Sequence, residues 1–185
     1  MCIKKNKKKR PPLQPKVGPY KKTNAYTSKP CFEQIITIIL MVILIVLHSV
    51  FNVAAIIAIN NSILWVILIF HYVLLAFIIV VYIIITIRDP VDDYILDPYL
   101  ALTDNYREYC EICVCYRQER SYHCKRCNRC TEKFDHHCKY LNNCIGGKNY
   151  KLFIILLTSF ILFHMSCIGQ SIWVFVRSRN DLKIA

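Results

Sequence analysis

Three stretches of the chain run for about 25 residues each without a charged side chain: Ile35 to Ile59, Ile63 to Ile87 and Leu152 to Val176. None shows the polar stripe of a helix half-buried in a soluble core. Each is long enough, at 1.5 Å per residue, to cross a hydrocarbon layer of about 30 Å. Ile and Val are abundant in these runs and favour strands in water. In lipid an isolated strand leaves its backbone unpaired, so helices are expected. The pattern therefore predicts an α-helical integral membrane protein with three transmembrane helices, at 35–59, 63–87 and 152–176. The first two form a hairpin that turns through Asn60-Asn61-Ser62.

The polar segments between and around these runs differ in kind. Residues 1–34 carry ten Lys/Arg against one Glu and account for most of the net charge of +12. Pro11, Pro12, Pro15, Pro19 and Pro30 fall in the same stretch, which reads as a basic disordered tail. Its Lys4 to Arg10 run suits anionic lipid at the cytosolic face better than nucleic acid, and no nucleic-acid partner is expected. No secretory signal is expected, because the first apolar run is too long and starts too late. With the tail in the cytosol, residues 88–151 return to the cytosol and residues 177–185 form a short lumenal tail. Arg177, Arg179 and Lys183 place that tail mildly against the charge rule.

Residues 88–151 are the only stretch able to form a domain in water, and they are poor in aliphatic clusters. Such a segment needs a staple. Eight of the eleven cysteines lie here, in a compartment where reduced thiols bind metal rather than pair as disulfides. The spacing is C-x2-C from Cys110, nine residues, H-C-x2-C-x2-C, four residues, D-H-H-C at 135–138, five residues, then Cys144. Two tetrahedral zinc sites need eight ligands. The pool is Cys110, Cys113, His123, Cys124, Cys127, Cys130, His136, His137, Cys138 and Cys144, with Cys115 as an unpatterned extra. Arg117, Arg120, Lys125, Arg126 and Arg129 can offset the thiolate charge. The surplus matters, because Cys138 stands near His136 and Asp135. A His can take the proton of a Cys thiol, and a carboxylate can orient the His. On spacing alone, His136 or Cys138 could equally be further zinc ligands. Cys2 and Cys31 are candidate lipidation sites or inert thiols, and Cys167 is expected as a small packing residue in the third helix.

The array, the Arg-Ser-x-His-Cys run at 120–124, Leu141-Asn142-Asn143-Cys144, Asn149 and Phe153 together resemble the DHHC-type protein S-acyltransferases, or palmitoyltransferases. The resemblance covers roughly residues 35–176. It implies two structural zinc ions, one held by Cys110, Cys113, His123 and Cys130, the other by Cys124, Cys127, His137 and Cys144. It implies Cys138 as the acylated nucleophile, His136 as its base and Asp135 as the group orienting that base. The expected co-substrate is a long-chain acyl-CoA such as palmitoyl-CoA, and the acceptors are cysteines of cytosolic or membrane proteins. The expected location is the endoplasmic reticulum or Golgi membrane.

The sequence also departs from the family. A fourth transmembrane helix and a Thr-Thr-x-Glu motif are usual, and this sequence ends nine residues after its third run. Asp89-Pro90-Val91 stands where the family has Asp-Pro-Gly, and Arg117-Gln118-Glu119-Arg120 replaces a stretch that often holds Pro. These departures set a second expectation beside the enzyme: a truncated or shortened, catalytically inactive zinc-binding member acting as a binding or regulatory protein.

Overall fold

The computed structural model describes residues 31–59, 61–97, 99–103 and 108–184. Most of the basic tail read at 1–34, including Cys2, lies outside the described residues. Two long helices come first, α1 (Phe32–Ile59) and α2 (Ser62–Ile87). Asn61 caps α2, its side-chain oxygen accepting from Ile63 N at 2.9 Å, which relieves one of the orphan donors of a helix start. The chain then makes two single-turn helices, α3 (Asp93–Leu96) and α4 (Leu100–Thr103), and six three-residue strands. A third long helix, α5 (Tyr150–Ile184), is the last element among the described residues. α1, α2 and α5 are each long and apolar enough to cross a membrane.

α2 packs against both α5 and α1, and the three helices have an inverted character. Val66 and Val73 on the outer face are 68% and 65% exposed, while Asn52, His71 and Gln170 between the helices are 1%, 1% and 5% exposed. In water that distribution would be unstable, since polar groups are buried and apolar ones solvated. α5 also runs past Val176, where the sequence placed a boundary, through Arg177 and Arg179 to Ile184. Charge ends an apolar span but does not end a helix, because Arg and Lys are good helix formers.

Between α2 and α5 lie three antiparallel hairpins that no hydrophobic alternation announces. β1 (Glu108–Cys110) pairs with β2 (Cys115–Arg117), β3 (Tyr122–Cys124) with β4 (Arg129–Thr131), and β5 (His136–Cys138) with β6 (Asn143–Ile145). Each hairpin loop is four residues long and ends in the left-handed region, at Val114 (φ 55°), Asn128 (φ 50°) and Asn142 (φ 50°). Isolated two-stranded ribbons this short are not stable in water, so something else holds them.

Part of the support comes from the strap that follows α2. Asp92 N donates to Cys130 O at 3.1 Å and Glu132 N to Pro90 O at 3.1 Å, adding residues 90–92 beside β4. Asp89 pairs with Arg129 at 2.5 Å. Asp92, fully buried, accepts from Tyr94 N at 2.9 Å with one oxygen and from Gln118 N at 2.8 Å with the other. Lys148 reaches back from the start of α5 to Asp93 at 2.5 Å and Val91 O at 2.7 Å.

Candidate active site and metal centres

The hairpins are related by a fixed offset. Cys110, Cys124 and Cys138 each end the first strand of a hairpin, 14 residues apart (124 − 110 and 138 − 124). In the first two hairpins a second Cys follows three residues later, at 113 and 127. In the third, that place is taken by Leu141. The first two loops are metal knuckles by geometry: Cys113 N points at Cys110 Sγ at 3.4 Å and Cys127 N at Cys124 Sγ at 3.5 Å. Backbone donors aimed at sulfur favour the thiolate.

The other half of each cluster comes from the next hairpin. His123 and Cys130 are cross-strand partners in β3–β4, and His137 and Cys144 are partners in β5–β6. Side chains directly opposite in an antiparallel pair stand on one face, close together. The result is two sets of four: Cys110, Cys113, His123 and Cys130, then Cys124, Cys127, His137 and Cys144, with ligand atoms mutually within 4.8 Å. In the first set His123 Nδ1 lies 3.7 Å from Cys110 Sγ and 3.2 Å from Cys113 Sγ, and the Cys130 and Cys113 sulfurs are 3.8 Å apart. In the second, His137 Nδ1 lies 3.6, 3.4 and 3.7 Å from the sulfurs of Cys124, Cys127 and Cys144. A tetrahedron with Zn–S near 2.3 Å and Zn–N near 2.0 Å has edges of about 3.5–3.8 Å. The donor set and the spacing fit zinc.

The thiols themselves register this crowding. Hydrogen bonds from Cys115 and then Cys130 hold Cys113 well below the ordinary thiol range. Cys127 and then Cys144 do the same to Cys124. Cys127 is pushed up to about 11, chiefly by the bond it gives to Cys124, and Cys130 and Cys144 are pushed up likewise by donation to Cys113 and Cys124.

β5 divides the Asp135–Cys138 block. Successive strand residues point to opposite faces, so His137 turns toward Cys144 and the second cluster while His136 and Cys138 turn the other way. There Cys138 is buried in an apolar cluster with Val81 and Ile85 of α2 and Leu141 and Ile145 of its own hairpin, flanked by Leu152, Phe153 and Leu156 of α5. His136 Nδ1 lies 2.9 Å from Asp135 Oδ2, both side chains about half-exposed. The His136 ring meets Phe153 edge-on at 5.3 Å. Facing a carboxylate oxygen, Nδ1 is the donor, and in the neutral ring Nε2 then keeps a lone pair. Among the described residues no hydrogen bond joins Cys138 Sγ to that ring.

Residues to which the sequence assigned no anchoring role fix this hairpin between the helices. Asn143, fully buried, donates to Ile85 O at 2.9 Å and Arg88 O at 2.7 Å, capping carbonyls at the end of α2, and accepts from Cys144 N at 2.9 Å. Asn149, at the start of α5, donates to Cys144 O at 2.9 Å and accepts from Gly146 N at 2.9 Å. The β5–β6 loop is also held by Tyr82, which donates to Tyr140 O at 3.1 Å, and by Cys31, which donates to Lys139 O at 3.0 Å. The signal for Asn143 was its place beside Cys144, but only the fold shows that it meets a helix end.

Among the described residues, three membrane-length helices and a Cys/His-rich domain with two zinc-like ligand clusters define a class: helical membrane-capable proteins with a domain suited to metal at one end. Comparison with known proteins narrows it. Residues 103–184 match the family described as DHHC palmitoyltransferase. Over 55 residues the chain is 53% identical to palmitoyltransferase AKR1 of Mortierella alpina, covering 30% of this chain and 10% of that protein. It is 40% identical over 76 residues to palmitoyltransferase pfa3 of Emericella nidulans, covering 40% and 15%, and 42% identical over 52 residues to protein S-acyltransferase 8 of Arabidopsis thaliana, covering 28% and 13%. The likeness to that family therefore rests on residues 103–184, the stretch that holds the three hairpins and α5. The chain spans only a small part of the length of these relatives.

Proposed function

We propose that the chain is a membrane-bound protein S-acyltransferase that carries a long-chain acyl group from acyl-CoA to protein cysteines through Cys138. The observation that carries this reading is the division of β5, which turns His137 to the metal cluster and leaves Cys138 with His136 against the apolar ends of α2 and α5. Leu141, standing where the other hairpins have a second cysteine, explains why Cys138 stays out of the metal array. The inverted burial of the three helices supports insertion in a bilayer, with the hairpins on the cytosolic side and the endoplasmic reticulum or Golgi as the site.

Cys110, Cys113, His123 and Cys130 would hold one zinc, and Cys124, Cys127, His137 and Cys144 the other. Bound zinc would supply no chemistry beyond pinning the hairpins, contributing folding free energy directly.

In the first half-reaction His136 Nε2 takes the proton of Cys138, and the thiolate attacks the thioester carbonyl of acyl-CoA. The new S–C bond forms as the bond to CoA sulfur breaks, and the CoA thiolate recovers the proton from His136. In the second, a cysteine thiolate of the protein substrate attacks the acyl-enzyme and Cys138 leaves. A thioester is exchanged for a thioester at each step, so positioning and deprotonation are the main tasks. Asp135 keeps the ring in the tautomer that accepts and stabilises the imidazolium that forms. The apolar cluster around Cys138 suits the first carbons of an acyl chain, which partitions into lipid at about 0.8 kcal/mol per methylene.

Autoacylation tests the proposal. Purified chain incubated with labelled palmitoyl-CoA should acquire a hydroxylamine-labile label, and Cys138→Ser should not. Equal labelling of the two proteins, or none on the wild type, would overturn it. The latter result, with two zinc per chain retained, is the outcome expected of a family member that binds without catalysing.

A further inference from the structure

The polar residues that α1, α2 and α5 bury between them converge on one place. His48 of α1, His71 of α2 and Cys167 of α5 each present a ligand atom, and the three atoms lie within 4.8 Å of one another. Cys167 Sγ is 4.0 Å from His48 Nε2, and the two imidazole rings meet edge-on with centroids 5.0 Å apart. At 1.5 Å per residue, all three residues fall within about 5 Å of the midpoints of their apolar spans, displaced toward the α1–α2 turn. The helices therefore bring them to one depth.

Hydrogen bonds around the rings decide which nitrogens are free. Asn52 donates through Nδ2 to His48 O at 2.7 Å and accepts through Oδ1 from Gln170 Nε2 at 2.5 Å, so its amide orientation is set. Its Nδ2 also lies 3.0 Å from His48 Nε2, a nitrogen that must then present a lone pair and would exchange this contact for a metal bond. Ser166 gives its proton to Phe163 O at 2.8 Å and so accepts from His71 Nε2, also at 2.8 Å. That leaves the lone pair of His71 on Nδ1, which is buried with no partner. Polar side chains that serve only to join helices pair with one another, and a bare imidazole lone pair in an apolar interior is what such a network avoids.

We propose that His48, His71 and Cys167 form a third metal site, within the helix bundle, that takes a soft monovalent cation, copper(I). Two imidazoles and a thiolate are ligands of the soft to borderline kind that this ion favours. On binding, the copper(I)–sulfur bond forms as the S–H bond of Cys167 breaks and its proton passes to bulk water, and one thiolate then balances one positive charge. The complex is neutral, which a bilayer interior tolerates, whereas a divalent ion would leave a net charge there. The choice of ion rests on α1, α2 and α5 crossing a bilayer. The site itself shares no residue with the acylation chemistry, so either can fail without the other.

The test uses the full chain in detergent, loaded with zinc and titrated anaerobically with copper(I) against bathocuproine disulfonate as competitor, with zinc measured alongside. The wild type should retain one copper per chain and keep its zinc, and copper K-edge absorption should show one sulfur and two imidazole neighbours. Cys167→Ser and, separately, His71→Asn should each bind that copper at least tenfold more weakly while keeping zinc, which also reports that they fold. Three results overturn the proposal: no copper retained by the wild type, copper with sulfur-only neighbours that displaces zinc, or wild-type copper retention by both variants. The wild-type spectrum decides the matter even where a variant does not fold.

Discussion

Replacing Asn143 by leucine keeps the number and branching of the side-chain heavy atoms and removes the clamp between the β5–β6 hairpin and α2. Three polar groups lose their partner: Ile85 O at 2.9 Å, Arg88 O at 2.7 Å and Cys144 N at 2.9 Å. The residue is fully buried, so water cannot substitute freely. A buried group left unpaired costs about 1–3 kcal/mol, and three of them in one relaxing site cost roughly 3–5 kcal/mol. Against a total stability of about 5–15 kcal/mol, the domain still folds but opens far more often. At 1.4 kcal/mol per tenfold, local opening should rise by at least about a hundredfold. The assay is zinc release to excess 4-(2-pyridylazo)resorcinol, where opening limits the rate. Cys144 follows Asn143 directly, so the second cluster should empty first and the first, which shares β3–β4 with it, should follow more slowly, giving two phases of equal size. A change below about threefold, the scatter of surface substitutions, would refute the assigned role of the clamp. Equal acceleration of both phases would refute its locality.

Further outcomes follow from the same geometry. His136→Ala should slow acyl-enzyme formation by about a hundredfold or more, and Asp135→Asn by less, since general acid–base catalysis contributes about 10²–10⁴; single-turnover labelling measures both, and unchanged rates would remove His136 as base. Gly146→Ala puts a Cβ against Glu132 O and 2.7 Å from Thr131 Cγ2, an overpacking worth about 1–3 kcal/mol, whereas Gly169→Ala meets nothing within 4 Å. Limited proteolysis should therefore separate the two, Gly146→Ala being cut faster than wild type and Gly169→Ala not. In the metal-free chain Cys127 is pushed up to about 11 and Cys130 and Cys144 are also raised, so all three are protonated at pH 7. Zinc requires thiolates, so loading should release at least three protons per chain, and zinc should be lost as pH falls. Titration in weak buffer with a pH indicator counts them, and fewer than three would contradict the donor sets.

The long helices were legible because an apolar run in the absence of charge has one interpretation at that length. The hairpins were not. Three-residue strands carry no periodicity, and Glu108–Cys110 or Arg129–Thr131 have nothing alternating to read. The spacing offered ten Cys and His for eight positions, and it was the family resemblance, not counting, that gave His136 and His137 separate roles. The 14-residue offset was present in the sequence as a signal: aligning Cys124 with Cys138 sets Cys127 over Leu141. Two further features resisted reading for a different reason. Asn143 matters because of a helix end 55 residues away in sequence, and His48, His71 and Cys167 matter only once three separate helices are side by side.

The middle hairpin, β3–β4, belongs to both metal clusters, giving His123 and Cys130 to one and Cys124 and Cys127 to the other. Ordering it costs backbone entropy of about 1–2 kcal/mol per residue, and that cost is met only once. Whichever ion enters first fixes half the ligands of the neighbouring site in place. The second then binds a partly assembled site, so loading is cooperative and a half-filled chain is the scarcest species in a zinc titration.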